Sequence, residues 1–103
     1  MTTQFTSVAE VSTERPARFA KQLVSHLSRR TPALEIDGGH RLTFRGEDGE
    51  TKGTCDVVAG ADDQLSLRAE APEEAGLTLV ENVVGRHLER FGEREGLTVS
   101  WQR

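Results

Sequence analysis

Residues 72–91 read PEEAGLTLVENVVGRHLERF, the longest stretch of helical period in the chain. On a wheel of about 100° per residue centred on Val84, the side chains of Leu77, Val80, Leu88 and Phe91 fall within about 40° and form one apolar stripe. Glu73 and Glu74 open the stretch, and Arg86, Arg90 and Arg94 lie towards its end, the arrangement a helix dipole favours. Pro72 suits a first helical turn, and Gly92 and Gly96 punctuate the far end. A helix with one such stripe needs an apolar layer to lie on.

The stretch before it supplies that layer. From residue 34 to residue 71 the period drops to two. Leu34 and Ile36 alternate with Glu35 and Asp37, and Leu42 and Phe44 with Arg41 and Thr43. Gly38-Gly39 between them predicts a two-residue hairpin turn. Residues 46–49, GEDG, are a second turn, and residues 51–59, TKGTCDVVA, a third strand in which Gly53 marks a bulge or an edge. Ala61-Asp62-Asp63-Gln64 turns the chain again, and Leu65, Leu67 and Ala69 alternate with Ser66, Arg68 and Glu70. Beyond the long helix, LTVSWQ at 97–102 has Leu97, Val99 and Trp101 on one face and predicts a last strand.

The N-terminal third adds one strand and one helix. Residues 3–12 are rich in β-branched side chains and predict a strand. Ser12 or Thr13 offers an N-cap and Pro16 a first turn for a helix over residues 16–30. Phe19, Leu23 and Leu27 form its stripe, with Ala20 and Val24 at the flank and Arg18, Lys21 and Ser25 outward. Arg29 and Arg30 suit its C-terminal dipole, and Thr31-Pro32 ends it. The order is β-α-β-β-β-β-α-β. Short hairpin spacings make the sheet mostly antiparallel with both helices on one face, a single two-layer α+β sandwich over residues 1–103. Strand order is not fixed by this pattern.

Composition narrows the function classes. The 103 residues carry a formal charge of −4, against an obligate nucleic-acid binder. Residues 1–46 carry +3 and residues 47–103 carry −7; an anionic partner would meet the basic first helix, and the commoner meaning of such a charge balance is a solvated helix face. The one cysteine, Cys55, excludes an internal disulfide and fits a reducing cytoplasm. No stretch reaches the ~20 apolar residues of a membrane span, and no leader-like apolar run opens the chain.

Few residues carry chemistry in a recognisable pattern. His26 and His87 each directly precede a leucine of an apolar stripe and lie about 60° from its centre, at the border of core and solvent. Packed side by side, the two helices would bring these imidazoles together as candidate ligands for a metal or haem. The commoner role of such a border histidine is a local hydrogen bond that closes the core edge. No cysteine or carboxylate stands at metal-ligand spacing beside either one, which argues against a structural zinc site. Cys55 and His40 would make a nucleophile–base pair only by tertiary proximity, and Cys55 reads as an ordinary core thiol. The glycine-rich residues 46–53 lack the lysine-serine/threonine ending of a phosphate loop and are acidic, and Asp62-Asp63 lacks the further oxygens of a calcium loop.

Three stretches together carry a resemblance. RPARFAKQLVSHLSRR, the hairpin region, and VVGRHLERFGEREGLTVSWQR are similar to the bacterial family known as domain of unknown function 2218. Its most specific features are HLERF, here His87 to Phe91, and the ending LTVSW, here Leu97 to Trp101. The first-helix signature falls on Phe19, Lys21, Gln22, Leu23 and His26, with Phe19 where the family often has tyrosine. The resemblance implies no established activity. Similar domains accompany siderophore-interacting flavoproteins, which implies a partner of that kind or another iron-related protein, and haem or iron as the cofactor of His26 and His87. The rival expectation is a protein-interaction module with no cofactor, presenting a sheet edge or helix face. An enzyme is the weakest reading, because no nucleophile, base and orienting group are legible.

Overall fold

In the computed structural model, which describes residues 4–60 and 62–103, the period-two segments form five strands and the period-3.6 segments two helices. The strands are β1 (Phe5–Ser12), β2 (Ala33–Ile36), β3 (Gly39–Arg45), β4 (Thr51–Ala59) and β5 (Gln64–Ala71); the helices are α1 (Pro16–Leu27) and α2 (Glu74–Phe91). Every pairing is antiparallel and the sheet order is β1-β5-β4-β3-β2. The meander β2 to β5 is thus closed by β1, which returns to the free edge of β5. Both helices cover one face, and the other carries polar side chains such as the Arg41–Asp56 pair at 2.7 Å.

The alternation selects the covered face. Ala9 and Val11 of β1, Leu42 and Phe44 of β3, Cys55 and Val57 of β4, and Leu65, Leu67, Ala69 and Ala71 of β5 are all buried. Leu23 is the fully buried centre of the α1 stripe, flanked by Phe19 and Leu27. Leu77, Val80, Val84 and Leu88 of α2 have no exposed surface, while Phe91 is half-buried. Gly76 and Gly85 share the buried side of α2. A Cβ at Gly76 would stand 2.1 Å from the Lys52 carbonyl oxygen, so α2 touches the backbone of β4 there.

Local details differ from the sequence reading in physically traceable ways. The β2–β3 turn is Asp37-Gly38, one residue earlier than expected, because Gly38 (φ +82°) takes the left-handed position. Gly53 belongs to the central strand rather than an edge. The register slips between Phe44 and Arg45, and Gly53 leaves room for Val80 above it. Asp63 takes φ +53° in the turn before β5; Ala61, and residue 3 of the expected first strand, lie outside the described residues. Helix α1 stops at Leu27, not residue 30. The Leu27 carbonyl accepts from both Arg30 N and Thr31 N in a tight turn, leaving Arg29 and Arg30 beyond the helix. Its N-cap is Arg15 without a side-chain cap, while Thr13 Oγ1 accepts from Arg15 N.

The C-terminal segment keeps its place in the order but is reduced to one bridge, Val8–Gln102, with hydrogen bonds of 2.9 and 2.8 Å. It leans on α2 instead of running along β1. Val99 N donates to Glu89 Oε2 at 3.0 Å, Trp101 packs where Gly85 has no side chain, and Arg103 forks onto Glu81 at 2.7 and 3.2 Å. Glu89, a solvent-face residue by periodicity, therefore holds the tail. The Glu81 carboxyl is kept below the usual carboxylate range chiefly by Arg103 and, to a smaller extent, by Ser7. Ser7 Oγ is itself fully buried and makes no hydrogen bond of full geometry, so its effect on Glu81 is one of proximity.

Three outcomes follow from this packing. Leu23→Ala should cost about 3–4 kcal/mol and Val84→Ala about 2 kcal/mol, with Arg18→Ala within about 0.5 kcal/mol, read from urea melts. Cys55 is wholly buried and its thiol is pushed up to about 12, mainly by desolvation. Iodoacetamide at mildly alkaline pH should therefore leave the native protein unmodified and label one thiol per chain in denaturant, by mass spectrometry. Because folding lowers the Glu81 pKa, its stabilisation is present above the ordinary carboxylate range and is lost as pH falls through its folded value. The stability gap between the native chain and Arg103→Met should accordingly shrink between neutral pH and about pH 3.

Candidate functional site

The two helices run antiparallel. Arg15, at the start of α1, shares a cleft with Leu97 beyond the end of α2, while the last turn of α1 reaches back along α2 to His87. The border positions assigned from the two wheels then face one another. The ring centroids of His26 and His87 are 5.1 Å apart, with planes inclined by 44°. Phe91, one turn beyond His87, closes the group: it meets His26 edge-on at 5.5 Å and His87 at 6.3 Å.

The two imidazoles are held differently. His87 is half-buried, and its Nδ1 lies 2.7 Å from the Val83 carbonyl oxygen one turn back. That oxygen can only accept, so Nδ1 is the donor, and Nε2 is the nitrogen not engaged by the helix backbone. His26 is exposed, and among the described residues its ring makes no hydrogen bond. One ring is thus oriented by the helix backbone, and the other is held only by its aromatic neighbours.

A cleft of about 480 Å³ runs past the pair, lined by Arg29, Arg30, Thr31, Phe44 and Val83 besides the histidines. The tight turn after Leu27 places the two arginines here. Read as dipole partners inside a longer helix, they gave no hint of this role; the Thr31-Pro32 stop was the available signal. Phe91 as a third ring was legible, since its helical spacing from His87 is one turn.

Among the described residues, no group of three or more His, Cys, Asp or Glu side chains is placed to hold a metal ion. Any ion at this pair would have two ligands from the chain and take its other donors from water or from a bound molecule. Cys55 is not part of a nucleophile–base pair. It is sealed in the sheet with Sγ 3.8 Å from the Asp56 carbonyl oxygen, and no hydrogen bond joins it to His40. Among the described residues, no helix is long and apolar enough to cross a membrane.

Comparison with known proteins agrees with this fold. A family model described as "Uncharacterized protein conserved in bacteria (DUF2218)" matches residues 8–102. Among solved structures, the chain is similar to the NMR structure of PA4090 from Pseudomonas aeruginosa. The two are 28% identical, with a TM-score of 0.73 and coverage of 95% of each chain. No curated protein matches the chain. With all but the first seven residues and the last one inside the family model, the chain belongs to this bacterial family, domain of unknown function 2218.

Proposed function

We propose that this domain is a small, non-enzymatic binding module that takes a transition-metal ion between His26 and His87. The observation that carries the reading is the 5.1 Å separation of the two rings. A metal–nitrogen bond of about 2.0–2.1 Å and about 1.2 Å from nitrogen to ring centre put two imidazoles on one tetrahedral ion about 5 Å apart. Two imidazoles on opposite faces of a haem iron would need about 6.4 Å by the same addition. The pair is therefore spaced for one ion shared by adjacent ligands, and haem would be met by one imidazole alone.

The surroundings support a metal that arrives with ligands of its own. Two protein nitrogens leave at least two positions for other donors, and Arg29 and Arg30 line the same cleft. Two guanidinium groups suit the carboxylate, catecholate or hydroxamate oxygens of an anionic chelator. This agrees with a role beside siderophore-interacting flavoproteins or other iron-related proteins, the partners that the family resemblance implies, in the reducing cytoplasm that a lone cysteine fits. The competing role, two histidines that only close the core edge, accounts for the bond from His87 to Val83 but gives His26 no partner.

Calorimetric titration with Co²⁺ and Zn²⁺ tests the reading. One ion per chain should bind saturably, and His26→Ala and His87→Phe should each weaken binding at least about tenfold while circular dichroism stays native. Haemin should give a Soret shift that one of the two variants removes and the other retains. No saturable heat, or unchanged metal affinity in the double variant, would overturn the proposal.

A further inference from the structure

Another cleft lies on the opposite flank of α1, away from the imidazole pair. Its volume is about 520 Å³, within the range of small-molecule sites. The space has a sequence origin. Phe19, Leu23 and Leu27 set the height of α1 above the sheet, while its flank towards β3 carries only Ala17, Ala20 and Val24. Facing them are Gly38 and Gly39 of the hairpin and Val57 and Ala59 at the end of β4. Gly39 cannot be enlarged to fill the gap, because a Cβ there would meet the Val57 carbonyl oxygen at 2.0 Å.

Three polar residues stand along the rim of this apolar floor: Lys21 and Ser25, both exposed, and half-buried His40. All three can donate a hydrogen bond. Among the described residues none of them forms a side-chain hydrogen bond or an ion pair. The sheet register sets Glu35 across from His40, but no ion pair closes between them. Among the described residues no carboxylate lines the cleft itself, although the chain as a whole is acidic. A slot with an apolar floor and donors of positive or neutral charge at its rim matches a molecule with an apolar body and an anionic end.

We infer that the cleft between α1 and the β2–β3 hairpin binds a single amphipathic carboxylate. The aliphatic body lies along Ala17, Ala20 and Val57, and the carboxylate is held by Lys21 with Ser25 and His40. The ligand class is the free long-chain carboxylic acid. The small residues of α1 act as the chain-binding wall, and Lys21 as the charge-selecting residue.

Laurate and dodecyltrimethylammonium, which share a tail and differ in charge, separate the components of this claim. In calorimetry and ¹⁵N-resolved NMR titrations of the whole chain, laurate should bind saturably at one site. Its amide shifts should centre on residues 17–25, 38–40 and 57–59, and the cationic amphiphile should not compete. Ala20→Phe, which fills the slot, should weaken laurate at least about tenfold. Lys21→Glu, at an exposed position that leaves the fold intact, should weaken laurate and admit the cation. His87→Phe should leave laurate unchanged, so failure here and failure of the metal proposal are distinguishable. Equal binding of both amphiphiles, shifts centred elsewhere, or no effect of Lys21→Glu would overturn the inference. Co-sedimentation with phosphatidylglycerol vesicles would also overturn it, by assigning the surface to a membrane instead of a free acid.

Discussion

Helix α2 rests on the backbone of β4, and most of the molecule follows from that contact. Residue 76 has no room for a Cβ above the Lys52 carbonyl, and residue 53 none beneath Val80, where the gap would be 2.7 Å. Glycine on both elements lets the helix sink until Leu77, Val80, Val84 and Leu88 all reach the sheet. With α2 fixed at that depth over β1, β5 and β4, the remaining covered face belongs to α1. A larger residue at position 76 would lift one end of α2 and tilt the whole layer. The distance between His26 and His87 is thus set partly by two glycines that touch neither ring.

The same constraint explains what the sequence disclosed and what it hid. Alternation and helical period are local properties, so the elements, the covered face and the border positions of both histidines could be read directly. Strand order could not, because β1 is apolar and β-branched in a way that suits either edge of the meander. The pairing of the two imidazoles depended on the helices lying antiparallel with their border edges inward, which no pattern within one helix encodes. Arg29 and Arg30 were misplaced by a three-residue error in the end of α1, enough to move them from a helix face into a cleft. The alanines of α1 were visible as a flank, but a flank becomes a cleft only when the opposing hairpin also lacks side chains.

Two roles compete for the histidine pair, and they ask different things of the ring nitrogens. A histidine that serves only the fold is satisfied within it, as His87 is by Val83. His26 is exposed and makes no polar contact of its own, while its ring is still held against Phe91. The nitrogens of His26 are therefore left to solvent, whereas Nδ1 of His87 is engaged within the fold. The small size of the domain is no obstacle, since the pair stands on two helices anchored by a wholly buried core rather than on loops.

The position of β1 also imposes an order on folding. Strands β2 to β5 pair through short turns, so their contacts close over a handful of residues. Among the named strands β1 pairs with β5: Ser12 meets Gln64, and Phe5 meets Ala71. The tail then clips Val8 to Gln102, almost the full length of the chain away. Closing loops of that size is entropically costly until the meander exists to receive them. On a ribosome, β1 is made before the other strands of this sheet and is therefore among the last of them to be secured. It must stay extended and solvated while the rest of the sheet is synthesised, a task suited to its alternating Thr6, Glu10 and Ser12.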